Sequence, residues 1–193
     1  MRKSMSIVFA LTLLSGIAIS TAQDADPKPQ MPEMPEMPTP QQEHEWLRQL
    51  VGEWDTVSEM TMGPDQPPVK GEGREQSRMI GGFWATFEHT GEAMGTPFTG
   101  ILTLGYDPQQ KRYVGTWIDS MSNHMWQYVG SVSADGKRLT LETEGPCPSS
   151  PDGKGKFRET IEIVDADHKT FTSQLELNGE WVTILRMTCT RRK

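Results

Sequence analysis

The sequence predicts an all-β domain: an antiparallel meander of about ten strands, closed into a barrel and capped at one end by a short N-terminal helix. After residue 52, short segments rich in Val, Ile, Thr and aromatic residues alternate with turn residues. No segment in that region has a helical period. The links have hairpin length, which favours antiparallel neighbours. Closure removes exposed edges and leaves room for a small ligand, whereas an open sandwich is the alternative.

The first 22 residues have the pattern of a cleavable signal peptide. A charged start, Met1-Arg2-Lys3, precedes an apolar run over 7–19 and the small residues Ser20-Thr21-Ala22. The apolar run is too short for a permanent transmembrane helix. We therefore expect an exported protein, periplasmic or secreted, with no membrane span after cleavage. An uncleaved anchor is the alternative.

Residues 23–40 are predicted to be a disordered linker, because Pro, Gln, Glu, Asp and Met dominate and no aromatic residue is present. Met31, Met34 and Met37 recur at every third position, which would place three thioethers on one edge of a polyproline II helix. Thioethers are soft ligands that select Cu(I), so a copper site is a speculative interpretation of this repeat. We favour the simpler interpretation, a stiff spacer.

The first element of the domain is a predicted helix over 40–51. Thr39 is the expected N-cap, Pro40 suits the first helical position, and Gln42 would complete a capping box. Gly52 should end the helix. One apolar stripe supports this assignment, formed by Trp46, Leu47, Leu50 and Val51.

The single barrel domain, 41–193, contains ten candidate strands. They lie at 53–62, 69–80, 83–90, 98–106, 112–120, 124–133, 138–144, 157–164, 170–177 and 181–190. Asn178-Gly179 suits a type I′ hairpin turn, and Ala134-Asp135-Gly136-Lys137 suits a tight turn with glycine at positive φ. Gly81-Gly82 permits a sharp bend. A longer surface loop is expected over 145–156.

Net charge limits the classes of molecule that the protein is expected to bind, and the cysteine count limits its possible disulfides. The formal net charge of −7 argues against binding to nucleic acid and to anionic lipid. We expect an unknown small-molecule partner and no cofactor, and the sequence carries no signal of oligomeric state. Cys147 and Cys189 are the two cysteines. In an oxidising compartment they could form a disulfide, and two free thiols are equally compatible with the sequence.

A Gly-x-Trp motif, Gly52-Glu53-Trp54, stands between the predicted helix and the first strand. It resembles the start of lipocalins and their barrel relatives. The resemblance implies a lipocalin-like barrel in which Trp54 packs inside the base under a basic side chain of the last strand. Arg186 is the expected basic residue, with Arg191 as substitute.

A longer resemblance covers about residues 43–193. Its motifs are Ile80-Gly81-Gly82-Phe83, Glu88-His89-Thr90-Gly91, Gly95-Thr96-Pro97-Phe98-Thr99-Gly100, Gly105-Tyr106-Asp107 and the run from Tyr113 to Met121. In order and spacing these motifs are similar to the bacterial exported family called domain of unknown function 1579. The resemblance implies no activity, because the role of that family is uncharacterised.

Candidate ligand-binding residues follow from strand alternation. His89 shares a face with Phe83, Ala85 and Phe87. Trp117 shares a second face with Asp119, and His124, Trp126 and Tyr128 share a third. If these faces point inward, they form an aromatic pocket with a few polar groups, to which Glu88 could contribute. Alternatively, both histidines face water and the aromatic residues are plain core.

Asp119 is the sharpest of these signals, because a carboxylate in a Trp-Ile-Asp run is costly to bury alone. Its expected partner is Arg74, Arg78, Arg158 or a ligand amine.

The leading functional hypothesis is non-catalytic binding of a small, partly apolar molecule. A structural or protein-interaction module is the first alternative. An envelope enzyme would need Glu88, His89 and Asp119 to meet, and no Gly-x-Ser-x-Gly, His-Glu-x-x-His or Walker motif is present. Four histidines without paired spacing disfavour a closed metal site. Haem binding through a single histidine stays open.

Overall fold

The computed structural model describes residues 36–63 and 66–193, of which Pro38–Lys193 form one compact unit. The predicted signal peptide, most of the predicted linker, Met31 and Met34 lie outside the described residues. Met37 is described and exposed. Within the described part of the chain, no helix is long and apolar enough to cross a membrane.

The domain contains one helix and a closed antiparallel barrel of ten strands, as the sequence predicts. The elements are α1 (Gln42–Leu47), β1 (Gly52–Met60), β2 (Val69–Ile80), β3 (Trp84–Ala93), β4 (Thr96–Asp107), β5 (Arg112–Asp119), β6 (Trp126–Val132), β7 (Arg138–Pro146), β8 (Lys154–Ile163), β9 (His168–Leu177) and β10 (Glu180–Arg191). Each strand pairs with its chain neighbours, and β1 pairs with β10 to close the sheet.

The turn at Asn178-Gly179 separates β9 from β10. Asn178 and Gly179 adopt φ of 55° and 85°, the left-handed conformation that a type I′ turn requires at both central positions. Strand β2 spans the predicted range. The predicted loop 145–156 is shorter, because β7 continues to Pro146 and β8 begins at Lys154.

Helix α1 is shorter than the predicted 40–51, since the chain leaves the α-helix at Arg48 and turns through to Leu50. The N-cap is Gln41 rather than Thr39. The backbone N–H of Gln41 donates to Nδ1 of His44 at 2.9 Å. The side chain that accepts from the N-cap N–H is therefore His44, whereas the sequence predicted Gln42.

The helix closes one end of the barrel through its apolar stripe and two hydrogen bonds. Leu47 and Leu50 are fully buried. The indole N–H of Trp46 donates to the carbonyl of Gly136 in the β6–β7 turn at 2.7 Å, and the Tyr113 hydroxyl donates to the carbonyl of Glu43 at 3.0 Å. Leu47 and Leu50 therefore belong to the hydrophobic core of the barrel.

Candidate ligand cavity

Beyond the core next to α1, the barrel contains a cavity of about 300 Å³. It reaches the ends of the first three strands that lie far from α1, where Met60 of β1, Glu72 of β2 and Ala93 of β3 border it. Its wall is mainly apolar and aromatic. The aromatic lining consists of Phe87, Phe98, Trp117, Trp126, Tyr128, Phe157 and Phe171. This volume and composition are typical of the smaller sites that bind organic molecules in proteins.

Two glycines fix the positions of the cavity indoles. A Cβ at Gly100 would lie 2.3 Å from the Trp117 ring, and one at Gly145 would lie 2.3 Å from the Trp126 ring. Trp117 stacks on Phe98 with 6.2 Å between ring centres, and Trp126 meets Phe157 edge-on at 5.0 Å. The two rings therefore occupy space that a side chain at Gly100 or Gly145 would fill.

A buried ion pair lies in the part of the wall nearest the helix. Nζ of Lys169 lies 2.7 Å from Oε1 of Glu75 and also donates to the Leu50 carbonyl at 3.0 Å. The Ser77 hydroxyl donates to the same Glu75 oxygen at 2.9 Å. Glu75 and Lys169 are 3% and 4% exposed. Ion pairs so deeply buried need these extra hydrogen bonds to offset desolvation.

His89 lies beside this pair. Its Nε2 is 3.9 Å from Oε2 of Glu75, which is too long for a hydrogen bond. Its ring meets Trp117 edge-on at 5.4 Å. Burial lowers the pKa of His89, and the charge of Lys169 adds to that effect while Glu75 opposes it. The imidazole is therefore neutral at pH 7 and offers one donor and one acceptor.

Glu159 is the second buried acid of the wall and is only 8% exposed. Its Oε1 accepts a hydrogen bond from the Ser173 hydroxyl at 3.0 Å. Its Oε2 is buried and has no hydrogen-bond partner within the described residues. Burial raises the pKa of Glu159 to about 8, and the bond from Ser173 opposes this shift.

The predicted site residues separate into three groups. His89, Trp117, Trp126 and Tyr128 all line the cavity. His124 lies behind the wall, edge-on against Trp126 with 4.8 Å between ring centres. Glu88 is exposed on the outer face of β3, because strand alternation turns it away from its neighbour His89. A cluster of Glu88, His89 and Asp119 for acid–base chemistry does not form.

Asp119 orients an indole and has none of the predicted arginine partners. Its Oδ2 accepts a hydrogen bond from the Trp117 indole N–H at 2.7 Å, and its Oδ1 accepts one from the backbone N–H of Met121 at 2.8 Å. The residue is absent from the cavity wall. It therefore holds Trp117 in position from behind.

Trp54 packs at the base of the barrel and is 1% exposed. Its indole N–H donates to the Leu50 carbonyl at 3.1 Å. The prediction that Arg186 covers its ring is wrong, because Arg186 points outward and is exposed. Arg191 lies 4.0 Å from the ring centre, and Nζ of Lys169 lies 4.3 Å from it. Gly52, at φ 139°, leaves space for the Arg191 guanidinium.

The two cysteines are buried and free, so the disulfide that the sequence left open does not form in this structure. Cys147 packs beside Gly155 and Leu175, whereas Cys189 lies opposite Lys169. Leu175 and Lys169 are six residues apart on β9, or about 20 Å along the strand. A disulfide requires Cα atoms within about 7 Å.

Glu75, Glu159 and Lys169 line the cavity but were not predicted from the sequence to do so. Strand alternation is the signal that could have identified them. Glu159 stands between Phe157 and Ile161 on one face of β8, and Lys169 shares a face of β9 with Phe171. A charged residue on an otherwise apolar strand face indicates a buried polar contact. Among the described residues, no group of three His, Cys, Asp or Glu side chains is arranged to hold a metal ion.

Residues 39–191 match the family described as "Protein of unknown function (DUF1579)". The chain belongs to this family. No curated protein matches the chain significantly.

Two solved structures share the barrel of this DUF1579 protein. Rv2717c from M. tuberculosis is 15% identical with a TM-score of 0.58, over 80% of this chain and 100% of Rv2717c. The S-type phycobiliprotein lyase CPES from Guillardia theta is 15% identical with a TM-score of 0.53, over 80% of this chain and 99% of the lyase. At this identity the likeness shows the fold alone.

Proposed function

We propose that this protein binds a small, partly apolar molecule in the barrel cavity and performs no chemistry on it. The observation that carries the proposal is the cavity itself: about 300 Å³ walled mainly by aromatic rings, with the buried Glu75–Lys169 pair and Glu159 at separate points of the wall. A barrel serving only as a scaffold would gain stability by filling this volume with side chains.

Two features support binding without catalysis. The neutral His89 and the carboxylate of Glu75 do not share a hydrogen bond, so Glu75 does not orient His89 as a general base. The acidic groups predicted for such a role, Glu88 and Asp119, lie outside the wall. The S-type phycobiliprotein lyase CPES shares this barrel fold.

Native mass spectrometry of protein purified from its exporting host tests the proposal, with extracted small molecules analysed in parallel. We expect a reproducible extra mass that is lost in Trp117→Ala, since this ring forms part of the cavity wall. Trp84→Ala is the matched control, because Trp84 lies on the outer face and is 45% exposed. An unliganded mass, together with no binding of an apolar fluorescent probe, would contradict the proposal.

We also propose that the protein works outside the cytoplasm, with residues 23–40 as a spacer ahead of the barrel. The charged start and short apolar run before Ala22 support export. Cell fractionation and N-terminal sequencing test this. The expected result is a periplasmic or secreted chain that begins at Gln23, and an intact chain that begins at Met1 would contradict it.

A further inference from the structure

Acidic residues outnumber basic residues around the cavity, and this imbalance favours a cationic ligand. Four acidic residues, Glu72, Glu75, Glu92 and Glu159, and two basic residues, Arg74 and Lys169, border the cavity. Strand alternation turns the side chains of Glu72, Arg74 and Glu92 outward, so those of Glu75, Glu159 and Lys169 are the charged groups of the interior. Lys169 is committed to Glu75 and to the Leu50 carbonyl. Arg74 is exposed and lies 3.9 Å from Asp55. Neither cation is available to a ligand carboxylate or phosphate inside the barrel.

The remaining acids lie at two places, the outer rim of the open end of the cavity and its interior. Glu72 and Glu92 are exposed on β2 and β3 at the open end of the cavity. Glu159 lies within the barrel. Acidic groups at a cavity entrance raise the local concentration of cations and reduce that of anions. The whole chain, at −7, has the same sign.

Among the described residues, no basic side chain pairs with Glu159. Its cross-strand neighbours are Leu141 on β7 and Ser173 on β9, and Phe157 lies two residues earlier on the same face. Only Oε1 has a hydrogen-bond partner, the Ser173 hydroxyl, so Oε2 is free within the described residues. Burying an oxygen without a hydrogen-bond partner is unfavourable, and a ligand donor would remove that penalty.

Aromatic rings complete the environment that a cation requires. Tyr128, Trp126 and Phe157 line the cavity, and the last two are in contact at 5.0 Å. The faces of such rings carry negative electrostatic potential and attract ammonium groups, most strongly where water is excluded. A carboxylate among aromatic rings combines a charge partner with this attraction.

Resting on the proposed function, we propose that the ligand is a small apolar amine that binds as an ammonium ion, with its nitrogen at Glu159 and its hydrocarbon part among the aromatic rings. Because burial raises the pKa of Glu159 to about 8, the carboxyl group is mostly protonated at neutral pH in the free barrel. The arriving ammonium stabilises the carboxylate, so the proton on Glu159 leaves to solvent as the ion pair forms.

Isothermal titration calorimetry with three matched probes tests this proposal on the intact protein. The probes are phenylbutylamine, phenylbutanol and phenylbutyrate, titrated at about pH 6.5 in two buffers of different ionisation enthalpy. We expect the amine to bind at least about tenfold more tightly than the carboxylate. The buffer dependence should show close to one proton released per amine bound and none for the alcohol.

Glu159→Gln separates charge from shape, because it keeps the size of the side chain. This substitution should weaken the affinity for the amine at least about tenfold and abolish the proton release, and it should change the affinity for the alcohol by less than about twofold. The control is Glu162→Gln, on the exposed outer face of the same strand, which should leave all three titrations unchanged. The proton count on the wild-type protein is independent of how either variant folds.

The outcomes distinguish this inference from the function on which it rests. The amine assignment would be overturned if phenylbutyrate bound as tightly as the amine or more tightly. It would also be overturned if phenylbutanol bound as tightly as the amine and the amine released no proton. Either result would leave small-molecule binding supported. Amine binding unaffected by Glu159→Gln would also overturn the amine assignment. Failure of all three probes would overturn the amine assignment, and the native mass would then decide the proposed function separately.

Discussion

Nζ of Lys169 and Oε1 of Glu75 lie 2.7 Å apart inside the barrel, beneath the cavity and above the Trp54 ring. The pair joins β9 to β2 across the interior, and through the Leu50 carbonyl it also holds the segment that follows α1. One polar contact therefore links the helix end, two strands and the cavity wall. Its energetic role is set by burial, because each charge alone would be strongly penalised.

Removing one member of this pair should be strongly destabilising. We expect Lys169→Met to lower the free energy of unfolding by about 3–5 kcal/mol, since Glu75 would remain buried without a counter-charge. The double variant Glu75→Leu/Lys169→Met should recover part of that loss. Urea unfolding measures both. Lys70→Met is the control, because Lys70 pairs with Glu59 at 3.0 Å on the exposed surface, and its loss should cost at most about 1 kcal/mol.

Trp54 should contribute to stability in proportion to its burial. Trp54→Ala removes a fully enclosed ring and its hydrogen bond to Leu50, so we expect a loss of about 3–5 kcal/mol in the free energy of unfolding. Trp84→Ala, on the exposed outer face, should cost far less. Thermal unfolding compares them. A midpoint unchanged by Trp54→Ala would show that the base of the barrel is not packed as described.

The thiols should both be free in the folded protein. Cys147 and Cys189 lie towards opposite ends of the barrel, and burial raises the pKa of Cys189, which keeps it protonated and unreactive. Alkylation in denaturant without reductant should add two labels per chain, and adding reductant should not change the thermal midpoint. A chain that takes up label only after reduction would show that the strands rearrange to form a disulfide.

Most of the fold could be predicted from sequence, because turns and strands leave local signals. Asn178-Gly179 specifies a type I′ turn, and the apolar runs between turns specify strands. The helix was less predictable. Its N-cap interaction comes from His44, which is buried against Phe83 and Tyr106 far along the chain. Tertiary packing of that kind overrides local capping preferences.

The site could be predicted only in part, because its polar groups pair across the barrel. Alternation correctly places His89, Trp117 and Tyr128 on inward faces. It cannot show that Lys169 meets Glu75, since the two residues are 94 positions apart and the barrel closure brings them together. Asp119 shares the predicted inward face with Trp117, and it accepts a hydrogen bond from that indole two residues earlier. Residue spacing alone cannot distinguish this contact from an ion pair with an arginine.

The cavity should shrink when Gly100 gains a methyl group. Its Cβ would lie 2.3 Å from the Trp117 ring, so Gly100→Ala must displace that indole towards the cavity. We expect a loss of about 1–3 kcal/mol in stability, a shift in tryptophan emission and weaker binding of an apolar fluorescent probe. Thr99→Ala, at the neighbouring exposed position, is the control. Unchanged probe binding in Gly100→Ala would mean that Trp117 does not bound the ligand space.

The buried Glu159 should make the barrel less stable as pH rises. Its pKa rises from 4.5 when unfolded to about 8 when folded, so between these values the folded protein binds more protons than the unfolded chain. The free energy of unfolding therefore falls with pH in this window, by an amount on the order of a few kcal/mol. His89 acts in the opposite direction, because its pKa is lowered on folding and its contribution increases as pH rises towards 6.5.

The comparison of wild type with Glu159→Gln isolates this effect, since every other titrating group is common to both proteins. Urea unfolding between about pH 5.5 and 8.5 should show the advantage of the wild type over Glu159→Gln decreasing steadily as pH rises. A difference that is constant with pH would mean that Glu159 ionises in the folded barrel as it does in water, and that its Oε2 is solvated or paired.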